Sequence, residues 1–540
     1  MVAKGSSAFA LKKSNMKNIF SSCQKLVYPL CLWVGWLLIA LPSPAQTGKT
    51  VLQYTLSMPE AAAHLFHVEL HCEGLDKDTL LFKLPNWMPG YYQLMGYAKN
   101  LSTLSAKKKN GENIPVTPVN ENSWRVILPK NTAFNLSYDV KAAKQFVANS
   151  FIDSSHAYIV PPSMFLYING WIRTPVSLRV MVPAQWNRIA TGLQPVAGKQ
   201  NEFTAADFDI LYDCPLLIGD LEELPSFTIK GIPHRFIGYK MGEFDRALFM
   251  SNLKKTVEAG IQIMGDIPYK QYTFIGIGPG RGGIEHLNNT TVSFDGRELN
   301  TDNGMNRMMN FLAHEYFHHY NVKRIRPLEL GPFDYDRENR TNLLWVSEGL
   351  SVYYEYLIVK RAGLINQQTL LNNFANSITA FENDPGRLYQ SLSQASYETW
   401  SDGPFGRQGQ EGDRSISYYD KGPAVGMLLD FAIRHASSNK KSLDDVMRYL
   451  YGHYYKDLQR GFTDAEFQEA CEMIAGIPLN GFFEYIYTTK ELDYPAYLSY
   501  AGLKIMIDSD TQTGKRKITL QPIGNPDAGQ VAILQSWLGE

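Results

Sequence analysis

Cysteine is scarce in this sequence, which has 5 cysteines among 540 residues. Beyond the first 45 residues only Cys72, Cys214 and Cys471 remain, and they lie far apart in the chain. Three cysteines can form at most one disulfide, so the chain is not a small disulfide-stabilised scaffold. None of them belongs to a Cys-x-x-Cys pair, which argues against a zinc site built from cysteines.

An excess of one charge and long apolar runs are also missing. The chain has 52 basic and 53 acidic residues, and its 44% hydrophobic and 19% charged residues are ordinary for a globular protein. Because no basic stripe is visible, the composition predicts no nucleic acid partner. No apolar run reaches the length of about 18 residues that is typical of a membrane-spanning helix.

The first 45 residues differ from the remainder of the chain. They contain five lysines and no acidic residue, then an apolar run over Leu26–Leu41, then the small residues of Ser43–Ala45. This order is typical of a secretory signal peptide. We therefore predict cleavage near Ala45, export to a periplasm or to the medium, and no stable membrane insertion of the mature chain. The alternative is a single anchoring helix, although the apolar run is shorter than the roughly 20 residues of a span.

Two regions with different hydrophobic periods follow. Between about residues 50 and 220, short segments alternate apolar and polar residues between turns, which predicts an antiparallel β-sandwich. After Gly242 helical spacing dominates, interrupted by two strand-like pieces, and strands followed by helices indicate the α+β class. The predicted helices cover residues 243–265, 302–321, 345–362, 366–382, 417–436, 441–455 and 464–475.

These patterns divide the chain into four segments. We predict a signal peptide over residues 1–45, an N-terminal β-sandwich domain over 46–228 and a catalytic domain over 229–498. Residues 499–540 form a short C-terminal tail with two weak strand patterns, IMIDS and KITLQ.

The residues with the clearest chemistry are His314, Glu315 and His318, in the sequence His-Glu-Tyr-Phe-His. Residues four apart lie on one face of a helix, so both imidazoles can bind one ion, and Glu315 can take a proton from metal-bound water. This is the pattern of zinc metallopeptidases. The alternative is a pair of surface histidines on an amphipathic helix, but the motif lies within a predicted helix and has apolar neighbours.

Catalytic zinc needs a third protein ligand and an open position for water. Glu348, in Trp-Val-Ser-Glu-Gly, follows His318 by 30 residues and opens a second predicted helix. A turn between the two helices would bring its carboxylate to the metal. Glu348 could instead be an acid favoured at a helix N-terminus, but the histidine pair lacks a ligand and we assign it to Glu348. Two imidazoles and a carboxylate favour one Zn²⁺ per chain, and the implied reaction is hydrolysis of a peptide bond.

Several segments together resemble the M61 family of metallopeptidases, the glycyl aminopeptidase group. HEYFHHYNVKRIRP resembles the extended zinc helix of that family, and LLWVSEGLSVYYEY resembles its third-ligand segment. Further similar segments are GGIEHLNNT, YYDKG, LPNWMPGYY and LYDCPLLIGD, in the family's order from about residue 50 to 502. The resemblance implies a thermolysin-like (gluzincin) catalytic domain related to the M1 aminopeptidases, with a helical C-terminal part.

The resemblance also implies roles for individual residues. Glu285 matches the acid of the M1 Gly-x-Met-Glu-Asn motif, which holds the free α-amine of a peptide substrate, and Gly283 belongs to the same substrate-binding stretch. His286 replaces the Asn of that motif, which leaves its role open. Tyr419 matches the tyrosine that donates a hydrogen bond to the developing oxyanion, with its neighbour Tyr418 as the alternative donor.

Three functions stay open at this point. The first is an aminopeptidase that acts on peptides, for which the family name suggests glycine or alanine as the first residue. The second is an endopeptidase with the same metal chemistry, and the third is a peptide-binding protein that retains zinc without catalysis. The basic residues Lys323, Arg324 and Arg326 either contact an acid or stabilise a helix end. The short tail predicts that the PDZ domain of many family members is not complete here.

Overall fold

Strands form the first part of the molecule because their side chains alternate between core and solvent. The structure is a computed structural model that describes residues 50–407 and 412–540, so the predicted signal peptide lies outside the described residues. In the first strand every second side chain, from Leu52 to Met58, is buried. The elements of this part are β1 (Val51–Glu60), β2 (Leu65–Glu73), β3 (Thr79–Lys83), β4 (Leu101–Lys108), β5 (Asn113–Ile114), β6 (Val116–Asn120), β7 (Ser123–Ile127), β8 (Phe134–Lys141), β9 (Phe151–Ile152), β10 (His156–Ile159), β11 (Tyr167–Ile168), β12 (Val176–Met181), β13 (Arg188–Thr191), β14 (Gln194–Pro195), β15 (Glu202–Ala205), α1 (Phe208–Tyr212) and β16 (Leu216–Gly219).

These strands form three sheets with a common apolar core. The largest sheet has the order β14-β15-β12-β1-β2-β8-β4-β5, and two four-stranded sheets have the orders β13-β16-β10-β9 and β11-β3-β7-β6. All described pairings within them are antiparallel except that of β1 with β12. The sequence analysis predicts antiparallel pairing throughout; the parallel pair is possible because a long connection, β2 to β11, separates its two strands.

A further sheet and most of the helices form the part that follows. Strands β19, β20 and β22 pair in parallel, whereas β21 pairs antiparallel with β22 and is an edge strand. The elements are β17 (Glu222–Glu223), β18 (Phe227–Ile229), β19 (Ile232–Gly238), α2 (Arg246–Met264), β20 (Tyr272–Gly276), β21 (Gly283–Glu285), β22 (Asn289–Val292), α3 (Asp302–Phe317), α4 (Leu350–Arg361), α5 (Gln367–Glu382), α6 (Leu392–Asp402), α7 (Tyr418–Ala436), α8 (Leu443–Leu450), α9 (Asp464–Ala475), α10 (Asn480–Tyr487), α11 (Tyr494–Ser499), β23 (Leu503–Ser509), β24 (Arg516–Pro522) and α12 (Ala528–Leu538).

Two predicted helices differ from the structure where the chemistry is concentrated. Helix α3 begins after its N-cap Thr301, whose side chain accepts from the Gly304 amide, and it ends at Phe317 instead of residue 321. His318 is therefore the C-terminal cap and not an interior residue. The helix predicted from residue 345 begins with a π-helical turn over Trp345–Gly349, and regular α4 follows. The C-terminal end of α3 and the π-helical turn before α4 both carry predicted metal ligands, and π-helical turns are frequent at functional sites.

A small apolar cluster joins the strand-rich part to the sheet that contains β19 to β22. It contains side chains from both, among them Met88 and Val147 from the first part and Ile275 and Ile284 from β20 and β21. The Tyr158 hydroxyl also donates to Thr291 Oγ1 over 3.1 Å. The edge strand β21 is thus held against the N-terminal part of the molecule.

The C-terminal segment is more ordered than the sequence pattern suggests. Strands β23 and β24 form the hairpin at the two weak strand patterns, and α12 follows them. The sequence analysis missed this helix, although Asp527 and Gln530 form a capping box at its start. Trp537 is fully buried, and its indole N–H donates to the Tyr353 hydroxyl over 3.1 Å. The segment therefore packs on the helical core, where Trp537 of α12 contacts Tyr353 of α4.

The cysteines and the lengths of the apolar helices can be compared with the expectations from composition. Cys72, Cys214 and Cys471 are all buried and free of disulfides. In residues 50–407 and 412–540, no helix combines the length and the apolar character needed to cross a bilayer.

Candidate metal centre and catalytic cleft

The three predicted metal ligands lie together in the structure. His314 and His318 project from the end of α3, and Glu348 projects from the π-helical turn before α4. Glu348 Oε2 lies 3.2 Å from His318 Nε2 and 3.6 Å from His314 Nε2. All three side chains are buried, and one ligand atom from each lies within 4.8 Å of the others. Helices α3 and α4 bring together residues that are 30 positions apart in sequence.

The contacts of Nδ1 in each of the two imidazoles determine whether Nε2 of the same ring has a lone pair for a metal ion. His318 Nδ1 lies 2.9 Å from the Asn321 carbonyl oxygen, and His314 Nδ1 lies 2.9 Å from a carboxylate oxygen of Glu355. Both acceptors favour a proton on Nδ1, which leaves a lone pair on each Nε2. The two Nε2 atoms face each other at 2.8 Å, beside the Glu348 carboxylate. Three electron-pair donors this close together can hold a cation, and two imidazoles with one carboxylate fit zinc.

Glu355 is a functional residue that the sequence analysis missed. It follows Glu348 by seven positions, so both acids lie on one face of the helical segment, which is the cue that could have identified it. Carboxylates behind metal-ligating histidines orient the ring and increase its basicity. Asn321 was missed too: its side-chain amide donates to the carbonyls of Val346 and Ser347 over 2.7 and 3.1 Å, which fixes the turn that carries Glu348.

A close helix contact places Tyr419 at the metal centre. A side-chain carbon on Gly349 would lie 2.8 Å from Gly422 Cα, so only glycine allows the start of α4 to approach α7 this closely. As a result the Tyr419 hydroxyl donates to Glu348 Oε2 over 2.9 Å. Burial and the charge of Glu348 raise the pKa of Tyr419, which keeps the phenol protonated and able to donate. The Tyr418 hydroxyl instead lies 3.0 Å from Thr399 Oγ1, so the geometry favours Tyr419 as the donor.

Glu315 lies on the open side of the metal centre. Its side chain is buried but borders the cleft, and the Thr290 hydroxyl donates to Glu315 Oε2 over 3.5 Å. Burial raises the pKa of Glu315 to about 7, which suits a group that accepts and returns a proton at neutral pH. A side-chain carbon on Gly283 would lie 2.5 Å from Glu315 Oε1, so the backbone of β21 approaches this carboxylate only because residue 283 is glycine.

Glu285 lies on the edge strand close to Glu315. The residue is 4% exposed, and its Oε1 has no hydrogen-bond partner among the described residues. Buried polar atoms are almost always paired, so an unpaired carboxylate oxygen near the metal centre can accept from a bound ligand. The backbone of Gly90, which lines the cleft, approaches the carboxylate closely, since a side-chain carbon there would lie 2.9 Å from Glu285 Oε2.

A buried ionic group holds this strand in place. The Asp213 carboxylate lies 2.7 Å from Lys323 Nζ, accepts from the Leu287 amide over 2.7 Å and lies 3.3 Å from His286 Nδ1. Burial alone would raise the pKa of Asp213, but the charge of Lys323 and the contact with His286 lower that pKa to about 2. His286 and Lys323 thus anchor the segment after Glu285. Arg324 donates to the backbone carbonyls of Leu287, His319 and Pro268. Lys323 and Arg324 therefore have structural roles.

The cleft in front of the metal centre has a volume of about 740 Å³, and both parts of the molecule line it. Besides the catalytic residues, the strand-rich part contributes Gly90, Tyr91, Tyr92, Gln93, Phe146 and Val147. The sequence analysis quoted the segment around Tyr92 without assigning it a role. Tyr92 is a second phenol near the carboxylate of Glu348. Burial, and then the negative charge of Glu348, raise the pKa of Tyr92.

The same two parts of the chain match two family models. Residues 53–220 match the M61 peptidase N-terminal domain, and residues 307–425 match the M61 glycyl aminopeptidase model, which includes the predicted zinc ligands, the base and Tyr419. No curated protein matches the chain in a sequence search.

Solved structures from Idiomarina loihiensis and Deinococcus radiodurans are similar to the fold of this chain. An aminopeptidase N family protein from Idiomarina loihiensis is 26% identical, with a TM-score of 0.81 over 86% of this chain and 81% of that chain. An M1 zinc metallopeptidase from Deinococcus radiodurans is 13% identical, with a TM-score of 0.52 over 82% of this chain and 94% of that chain. A mutant of that enzyme with a bound Tyr-Ser-Ala substrate is 14% identical, with a TM-score of 0.52 over 82% and 95%.

Proposed function

The chain belongs to the M61 peptidase family and is a zinc metallopeptidase, and we propose that it is an aminopeptidase, which removes single residues from the N-terminus of peptides. The observation that carries this proposal is the unpaired, buried carboxylate of Glu285 beside the metal centre. A preference for glycine or alanine as the first residue is part of the proposal, supported by the glycyl aminopeptidase model.

Burying a carboxylate without a partner is costly, and the cost falls when a cation binds. The α-ammonium group of a peptide is such a cation and carries three donors. We propose that it pairs with Glu285, beside the close approach of the Gly90 backbone. A carboxylate that binds the free amine would distinguish an aminopeptidase from an endopeptidase, whose cleft must be open on both sides of the scissile bond.

The remaining residues have complementary roles in the proposed reaction. We propose that one zinc ion per chain is held by His314, His318 and Glu348, where it supplies Lewis-acid chemistry that polarises the scissile carbonyl and makes water more acidic. Glu315 takes the proton of the attacking water and later gives it to the leaving amine. Tyr419 donates a hydrogen bond to the oxygen on which negative charge develops.

Substitution of Glu285 tests the proposed specificity. We expect Glu285→Gln to lower kcat/KM for peptides with a free amine by about 10²-fold, because the substrate cation loses its charged partner. The measurement compares free and N-acetylated forms of one peptide with the wild type and the variant. Cleavage of the acetylated form by the wild type at a similar rate would show an endopeptidase. Zinc-loaded protein without turnover of any peptide would favour a peptide-binding protein.

The two tyrosines allow a matched test of the oxyanion donor. We expect Tyr419→Phe to lower kcat by about 10²-fold with little change in KM, because the lost hydrogen bond strengthens only in the transition state. Tyr418→Phe removes the same atom from a phenol that faces Thr399, so its kcat should stay within about threefold of the wild type. A larger loss in Tyr418→Phe than in Tyr419→Phe would reverse the assignment.

A further inference from the structure

One acidic residue of the cleft has no role in the proposed reaction. Asp420 follows Tyr419 and lines the cleft with a half-buried side chain. Within residues 50–407 and 412–540 its carboxylate has neither an ion pair nor a hydrogen-bond partner, whereas Glu355 is occupied by His314. A free carboxylate that faces substrate space can bind a group of the substrate.

The surroundings of Asp420 favour a cationic group. Tyr356 and Ser377 flank it in the cleft wall, and their hydroxyl oxygens lie 3.2 Å apart. Lys421 is next in sequence, but its ammonium group donates to the Tyr485 carbonyl over 2.7 Å and lies away from the cleft. Burial, reinforced by the negative charge of Asp384, raises the pKa of Asp420 to about 6, as expected for a carboxylate without a counter-ion.

The cleft as a whole has little positive charge of its own. Among the described residues that line it, Arg281 carries the only guanidinium or ammonium group, and Arg281 belongs to the loop before β21. Asp420 lies instead on the wall formed by α4, α5 and α7. Asp420 is therefore on a different wall from Arg281 and from strand β21, which carries Glu285.

This arrangement gives Asp420 a position relative to the substrate. A peptide whose amine binds Glu285 places its scissile bond at the metal centre, next to Tyr419 and Glu348. In this binding mode, the residues after that bond follow the wall of α4, α5 and α7, because Asp420 lines the same cleft as Tyr419 and His314. We propose that Asp420 selects peptides with a lysine or arginine side chain after the scissile bond, an inference that rests on the proposed aminopeptidase function.

A purely structural role makes a different prediction. Asp420 lies in the first turn of α7, where a carboxylate stabilises the helix through its dipole. In that case Asp420→Asn would reduce thermal stability slightly and change the turnover of all peptides by the same factor. The ratio of rates between two peptides isolates the proposed contact from such general effects.

The experiment uses zinc-loaded, full-length enzyme and three peptides that differ at one position after the scissile bond. The residue there is lysine, norleucine or glutamate, with the same first residue, and a second set carries the change one position later. We expect kcat/KM for the lysine peptide to exceed that for norleucine by about tenfold, with glutamate lowest. The ratio should shrink as salt is added.

The variants assign the preference to one carboxylate. Asp420→Asn should reduce the lysine-to-norleucine ratio to about 2 or less, and Asp420→Glu should retain most of it. Asp508→Asn makes the same change on the exposed strand β23 and should leave the ratio unaltered. Equal rates for lysine and norleucine in the wild type, or an unchanged ratio in Asp420→Asn, would overturn the proposal.

Failure of the proposed function is distinguishable from failure of this inference. If no peptide is hydrolysed, the aminopeptidase assignment fails, and calorimetric titration with the same peptides still tests Asp420. Tighter binding of the lysine peptide to the wild type but not to Asp420→Asn would support the cationic subsite without turnover. Equal affinities of all three peptides would overturn it.

Discussion

Glu315→Gln is expected to lower kcat by about 10³-fold or more, the range for loss of a general base. Glutamine has nearly the shape of glutamate but cannot accept a proton from water, so binding and folding should be preserved. Glu315 also makes few contacts that the amide would disturb, since Thr290 supplies its one described hydrogen bond. The measurement is kcat with an aminoacyl amide or a short peptide, together with zinc content by mass spectrometry.

The zinc content decides how this result is interpreted. The variant should bind as much zinc as the wild type, because Glu315 lies beside the ligands and is not one of them. Glu298→Gln, an exposed acid near the start of α3, serves as the control and should retain full activity. An active Glu315→Gln enzyme would require another base, and Glu355, on the same cleft, would then be the first residue to substitute.

Glu348→Ala is expected to abolish zinc binding at micromolar metal and to lower activity by roughly 10³-fold. The carboxylate is the one anionic ligand, and without it the two imidazoles face each other with no compensating charge. A chelator should have the same effect on the wild type and should lower its melting temperature, because metal that binds only the folded state stabilises that state. Re-addition of zinc should restore the wild type but not the variant.

Glu355→Gln gives a graded comparison for the same site. It removes the charge behind His314 and leaves all three ligands, so zinc affinity should fall by about 10- to 100-fold, a smaller loss than in Glu348→Ala. Equal zinc affinity in Glu348→Ala and the wild type would contradict the assigned ligand set, since no other acid in the described residues completes a three-ligand group with His314 and His318.

The sequence predicted the local part of this centre well. His314, Glu315 and His318 lie within one helical turn, so helix geometry alone fixes their relation. Glu348 required the additional argument that catalytic zinc needs a third protein ligand, because the 30 residues between His318 and Glu348 do not fix the distance between their side chains. The α+β class followed from the change of hydrophobic period near Gly242, and the strand-rich part and the helical part are both present.

What the sequence could not predict depends on contacts between distant segments. The choice between Tyr418 and Tyr419 rests on the approach of Gly349 to Gly422, which brings one phenol to Glu348. The structural roles of His286 and Lys323 depend on Asp213, which lies more than 70 positions before His286. No periodic pattern encodes such pairs. Helix α12 was not predicted, although the capping box of Asp527 and Gln530 is a local cue.

The shared cleft has a consequence for the size of the molecules that can be processed. Glu285 is almost fully buried next to Gly90, and Gly90 lines a cleft of about 740 Å³ to which both parts of the molecule contribute. Under the proposed aminopeptidase function, a substrate must bring its first residue to this buried carboxylate. We expect free oligopeptides and frayed chain ends to satisfy this condition, whereas a terminus packed into a folded domain would not. The same geometry would then exclude intact folded proteins on steric grounds.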